Sequence, residues 1–167
     1  LFSGCAATSS NPVPRVANVD LARYMGPWYV IASIPLSLEK GAHCPVETYS
    51  RNPDGSIATV FQFRKKSFDG TLETKPTLAE VQADASNAEW KVRTIWPMKN
   101  QYVISHLEPD YSAALIARDR RDHVWILSRT PKISDAKRAE YQQKIASYGY
   151  DVSKLHYFPQ NGNQPWQ

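Results

Sequence analysis

Arg51-Asn52-Pro53-Asp54-Gly55-Ser56-Ile57-Ala58-Thr59-Val60-Phe61-Gln62-Phe63-Arg64 reads as a tight turn feeding a strand. Pro53 presets φ for the turn and Gly55 supplies the positive φ that ends it. Beyond the turn Ile57, Thr59, Phe61 and Phe63 alternate with Ala58, Val60, Gln62 and Arg64. That period of two belongs to a strand with one buried face. The strand runs to a second turn at Phe68-Asp69-Gly70, and Thr48–Arg51 before the first turn completes a hairpin.

The same grammar repeats in both directions. Strands are predicted at Trp28–Ile34, Leu78–Ala83, Trp90–Ile95, Tyr102–Leu107, Ala113–Arg118 and Val124–Ser128, separated by turn chemistry such as Pro97-Met98-Lys99-Asn100 and Pro109-Asp110. Eight strands at hairpin spacing argue for an all-β protein, an up-and-down antiparallel barrel or a sandwich, and against βαβ units. One helix is predicted near 134–148. Ser134 is its N-cap, Asp135 sits at the positive end of its dipole, and Gly149 stands where a left-handed cap belongs. Tyr141, Ile145 and Tyr148 give it a single apolar stripe, which suits packing on a sheet. A short last strand follows at Lys154–Phe158, and residues 160–167 read as a loose tail.

With 167 residues the chain fits one domain. Its 20 Lys+Arg against 16 Asp+Glu are spread evenly, with 11 basic and 9 acidic residues in 1–100 and 9 and 7 in 101–167. No polycationic face emerges, and nucleic acid is not an expected partner. The seven glycines are never closer than 13 positions, which excludes Gly-rich phosphate loops and the G-x-S-x-G nucleophile elbow. The four histidines, 43, 106, 123 and 156, show no metal-ligand spacing. No catalytic residue, metal or cofactor is therefore expected.

The chain opens Leu1-Phe2-Ser3-Gly4-Cys5-Ala6-Ala7, which resembles the lipobox of bacterial lipoproteins. That resemblance makes Leu1–Gly4 a signal-peptide remnant and Cys5 the acylated residue, and Ala6 in place of Asp implies release to the outer membrane. Residues 1–17 are expected to form the lipidated end and a Ser/Asn/Pro-rich tether, and 18–159 the folded domain. Uninterrupted apolar runs reach only five residues, as in Ala113–Ala117, far short of a spanning helix.

Gly26-Pro27-Trp28-Tyr29 opens the first strand, preceded by Val19–Met25. Pro109-Asp110-Tyr111 carries an Asp-Tyr pair between the sixth and seventh strands, and Arg129 follows the eighth. In order and spacing these resemble the three sequence motifs of the lipocalins. Pro109 and Ala114 depart from the second motif, where the family has Thr and Tyr. Within the family the chain is similar to the bacterial lipoprotein branch and to apolipoprotein D, through Thr48-Tyr49-Ser50, Trp125–Pro131 and Asp151–Lys154. The resemblance implies an eight-stranded up-and-down barrel with a C-terminal helix, in which Gly26, Trp28, Asp110, Tyr111 and Arg129 are structural. Trp28 and Arg129 are expected to form a cation–π lid worth about 1–2 kcal/mol. The family disulfide reaching from near Cys44 to a C-terminal cysteine has no second partner here, which leaves Cys44 unpaired if Cys5 is acylated.

An eight-stranded barrel holds one small ligand. Alternation places Thr59, Phe61 and Phe63 on one face, and the resemblance adds Tyr49, Thr94, Trp96, Tyr102, Trp125 and Leu127 as ligand-binding residues. Arg64 or Lys65 could meet a polar head at the rim. The implied ligand is a fatty acid or lysophospholipid, and the implied location is the outer membrane, lipid-anchored and facing the periplasm. A scaffold without cargo, self-associating as a homodimer, and a lipocalin-fold enzyme acting on a small lipophilic substrate are the competing readings.

Overall fold

The computed structural model describes residues 11–35, 39–95 and 98–167. Cys5 and Trp96 lie outside the described residues, as does the side chain of Thr94. After a four-residue helix α1 (Leu21–Tyr24) the chain forms strands β1 (Gly26–Ile34), β2 (Ala42–Arg51), β3 (Ile57–Lys65) and β4 (Leu72–Val81). Then come β5 (Glu89–Ile95), β6 (Met98–Leu107), β7 (Ala113–Ala117) and β8 (Val124–Ser128). Each strand pairs antiparallel with the next, and β8 returns to β1, so eight strands close into a barrel. Closure removes the unpaired edges an open sheet would present.

Helix α2 (Asp135–Ser147) begins where predicted: the Ser134 hydroxyl accepts from the Lys137 amide at 3.2 Å, and Gly149 ends the turn at φ +94°. Its buried Tyr141 and Ile145 pack with Leu115, Ile126 and Val103 on the outside of the barrel. A second apolar cluster fills the barrel's closed end, around the fully buried Tyr24, Trp28 and Trp90.

Three strands extend further than periodicity predicts. β2 starts at Ala42 rather than Thr48, because a bulge between His43 and Val46, with Cys44 at φ +49°, absorbs Pro45 without ending the ladder. β4 starts at Leu72 rather than Leu78. Pro76 faces Val60 of β3, while among the described residues β5 pairs with Leu78–Val81, beyond the proline that cannot donate. β6 starts at Met98 rather than Tyr102, so Met98, Lys99 and Asn100, expected in a turn, pair with Ile95, Arg93 and Val92 of β5 across a register shift between Arg93 and Ile95.

Residues 13–16 and the C-terminal segment pack more closely than composition suggests. Of the segment expected as a tether, Val13 is buried and its amide donates to Asp119 at 2.9 Å, and the Val16 amide donates to the Ile104 carbonyl at 3.0 Å. Arg15 bridges Glu89 and Asp119 at 2.8 and 2.9 Å. Burial pushes the Asp119 carboxyl up, but hydrogen bonds from Arg15 and Gln101 outweigh it and hold the group at about 2. Arg15→Ala should cost about 1–2 kcal/mol, read by urea denaturation, and should speed protease cleavage before residue 17. An unchanged cleavage rate would mean that the bridge does not hold this segment down.

The C-terminal segment is likewise built in. A short 3-10 turn (Val152–Lys154) leads to β9 (His156–Tyr157), which pairs with Ala32 and Ser33 of β1. The Phe158 amide donates to the Ile31 carbonyl, the Cys44 amide to the Pro159 carbonyl, and the Gln160 amide group reaches the carbonyls of both Val30 and Pro45. The residues expected as a loose tail thus begin as a wedge between β1 and β2, and Pro165 is buried as well. The single described cysteine, Cys44, is buried, and its thiol donates to the Asn161 side chain at 2.9 Å.

Candidate functional site: the barrel cavity

The strand directions give the barrel two unlike ends. At the α1 end Arg129 lies over the Trp28 ring, 3.8 Å from its centroid. Its guanidinium donates to the carbonyls of Pro27, Arg23, Tyr24 and Met25 at 2.8–3.1 Å. The Trp28 indole in turn donates to the Tyr24 carbonyl at 2.9 Å. Gly26 passes beneath, at φ +93°, where a Cβ would stand 3.4 Å from the Arg129 side chain. Asp110 caps the β6–β7 turn by accepting from the Ser112 amide, and Tyr111, under the Arg23 guanidinium, accepts from the Asp20 amide. One cation satisfying four carbonyls over an indole seals this end.

Above the seal lies a row of phenols. The Tyr102 hydroxyl stands 2.8 Å from those of both Tyr24 and Tyr49, and Trp90 stacks on Tyr102 at 4.8 Å. Burial pushes all three phenols above their ordinary range, so they are neutral hydrogen-bonding groups.

The interior above this floor is hollow. The cavity has a volume of about 170 Å³. Val30, Tyr49, Phe61 and Val92 line one part of it and Tyr102, Ile116, Trp125 and Leu127 another. Thr59 and Thr77, hydrogen-bonded to each other, face it from β3 and β4. Of the expected ligand-binding residues, the structure therefore brings Tyr49, Thr59, Phe61, Tyr102, Trp125 and Leu127 together on the cavity wall. Phe63 does not line it. Its ring is only 3% exposed and packs 5.2 Å from that of Phe61, so it fills the wall.

Charged groups reach the cavity at positions sequence reading missed. Arg64 and Lys65, expected at the rim, are engaged elsewhere, with the Gly70 carbonyl and with Glu73. Lys75 and Arg118 line the cavity instead, each already ion-paired, with Glu73 and Asp122 respectively. Two carboxyls also face it. Glu39, 5% exposed, accepts from the Ser33 hydroxyl at 3.0 Å and from the Trp125 indole at 3.2 Å. Glu47 sits on β2 between Trp28 of β1 and Phe61 of β3, and what surface it keeps faces the cavity. Burial first, and repulsion from Glu39 second, push the Glu47 carboxyl up to about 8 against the pull of the Thr59 hydrogen bond. Glu47 was legible in principle: it lies two residues before Tyr49, on the same face of the strand.

An antiparallel barrel sealed at one end, open at the other and apolar within defines a container for a small hydrophobic molecule. The chain belongs to the family described as the lipocalin-like domain, whose sequence model matches residues 19–160. It is 33% identical over 164 residues to the outer membrane lipoprotein Blc of Citrobacter freundii, covering 96% of this chain and 92% of that protein. It is 32% identical over 164 residues to temperature-induced lipocalin-1 of Arabidopsis thaliana, covering 95% of this chain and 88% of that protein. Among solved structures, insecticyanin of the tobacco hornworm Manduca sexta superposes with a TM-score of 0.67 at 17% identity, over 90% of this chain and 86% of that one, a likeness of fold.

Proposed function

We propose that the barrel binds and carries fatty acids or lysophospholipids at a bacterial outer membrane, anchored through an acylated Cys5 and facing the periplasm. The observation that carries this reading is the one-mouthed cavity with Val30, Phe61, Val92, Ile116 and Leu127 on its walls. Each methylene moved from water into such a wall gains about 0.8 kcal/mol, so a chain of about 14 carbons gains roughly 11 kcal/mol before costs. Ordering and association take back several kcal/mol, which leaves a dissociation constant of about micromolar or tighter. The lipobox-like N-terminus and the similarity to Blc, named an outer membrane lipoprotein, support the location.

Binding rather than catalysis is the reading favoured by the site's chemistry. None of the four histidines is among the residues lining the cavity. The two carboxyls there already hold hydroxyls, that of Ser33 on Glu39 and that of Thr59 on Glu47, and no histidine among the lining residues orients either pair.

The test is titration of the delipidated protein with palmitate and with a lysophospholipid, followed by tryptophan fluorescence, beside lipid analysis of protein extracted from its native membrane. Micromolar saturable quenching and a co-purifying acyl lipid are the expected results. Absence of both overturns the proposal. Trp125→Ala should weaken palmitate binding roughly five- to tenfold, through loss of about 1 kcal/mol of contact, with the circular dichroism spectrum unchanged. Unaltered affinity would take Trp125 out of the binding surface.

A further inference from the structure

The cavity is not only oily. Glu39 and Glu47 both face it, with Trp125, Phe61 and Tyr49 among the residues that line it. Carboxylates beside aromatic faces form the environment that accepts an ammonium group, through ion pairing and cation–π attraction together. The cations already present are committed: Arg118 to Asp122 and the Asn100 side chain, Lys75 to Glu73, and Arg129 to the backbone carbonyls of the seal. Glu47 takes part in no ion pair among the described residues, and its hydrogen-bonding partner is the Thr59 hydroxyl.

We propose that the acidic pair Glu39–Glu47 is an ammonium subsite inside the barrel, so that the preferred cargo is an amphiphile with a protonated amine rather than a bare carboxylate. This rests on the reading of the cavity as a lipid container and narrows the class of lipid. A carboxylate drawn past Glu39 toward Glu47 meets like charge in a medium that screens it poorly, whereas an ammonium neutralises the repulsion that two neighbouring carboxyls otherwise relieve by keeping a proton. The proton balance is explicit. Near pH 7 the empty barrel holds Glu47 as the neutral acid. An alkylammonium ion enters as the cation, Glu47 gives its proton to the solvent, and the complex holds one ammonium against the newly formed carboxylate. Binding of an amine therefore releases close to one proton; binding of an alcohol of equal chain length releases none.

The experiment compares dodecylamine, dodecanol and dodecanoate on the folded barrel at pH 7. Affinities are read by displacement of a neutral fluorescent dye. Proton release is read by calorimetry in two buffers of different ionisation enthalpy. The expected result is dodecylamine at least tenfold tighter than dodecanoate, with release of about one proton. Glu47→Gln should abolish the release and reduce that preference at least fivefold. Glu39→Gln serves as a second variant and should also narrow the preference; circular dichroism confirms that each variant folds. If dodecanol binds but dodecanoate equals or exceeds dodecylamine, or if Glu47→Gln changes neither the ratio nor the proton count, the subsite is refuted and the lipid container stands. If none of the three displaces the dye, both readings fall.

Discussion

Trp28→Ala is expected to lower the unfolding free energy by about 3–5 kcal/mol, among the larger costs a single core truncation imposes. Trp28 is fully buried, 5.0 Å from the Tyr24 ring, and its indole nitrogen holds the last carbonyl of α1. Alanine leaves a cavity the size of an indole under a guanidinium that no longer has a ring to lie on. Arg129→Ala is costly for a different reason, because it removes a donor from four carbonyls at the barrel's closed end, of which that of Tyr24 keeps the Trp28 indole. The two losses should not add: a double-mutant cycle is expected to return a coupling of about 1–2 kcal/mol, measured by chemical denaturation. Strict additivity would mean that the contact at 3.8 Å contributes nothing of its own.

Glu47→Gln is expected to stabilise the empty barrel, by about 2–3 kcal/mol at pH 7. An unfolded chain ionises this carboxyl near 4.5, while the folded barrel holds its proton until about 8. Between those values the native state binds the extra proton, so native stability falls as pH rises through the window and levels off above it. Glutamine carries no such proton. The difference in unfolding free energy between the variant and the parent should therefore be small below pH 4.5, grow steadily to pH 8 and then stay constant. A difference that is flat from pH 4 to pH 9 would show that Glu47 is well solvated and that the cavity is wetter than its lining suggests.

The strands were legible because their signals are local, whereas their closure into a barrel rather than a sandwich was implied only by the family resemblance. Asn52-Pro53-Asp54-Gly55 stops a strand by its own backbone chemistry, and Ile57, Thr59, Phe61 and Phe63 count in twos whatever surrounds them. Ser134 and Gly149 bound the helix in the same way. What escaped were features decided by neighbours distant in sequence. Pro76 looks like a terminator, and only the β4–β5 pairing, which runs from Leu78 to Val81, shows why it is tolerated. Pro45 hides the first half of β2, and with it Glu47. Val13 and Arg15 sit in a stretch whose composition suggests slack chain, yet Glu89 and Asp119, more than 70 positions away, hold it in place. Alternation put Thr59 and Phe61 on the face that lines the cavity, and the family resemblance, not periodicity, pointed to Tyr49, Tyr102, Trp125 and Leu127. The wall was misread at Phe63, because a face is not the same thing as an open surface.

The seam between β1 and β2 bears on how the molecule is made. Direct pairing joins Gly26–Tyr29 to Val46–Tyr49, and beyond that point the two strands are stitched together by Phe158, Pro159 and Gln160. These residues leave the ribosome after every wall strand. Until they arrive, a growing chain can fold most of its cylinder but carries two bare backbone edges, the kind that recruits a strand from another molecule. Fastening the slot with the last stretch to be synthesised confines that hazard to the nascent state, and any truncation upstream of residue 158 would make it permanent.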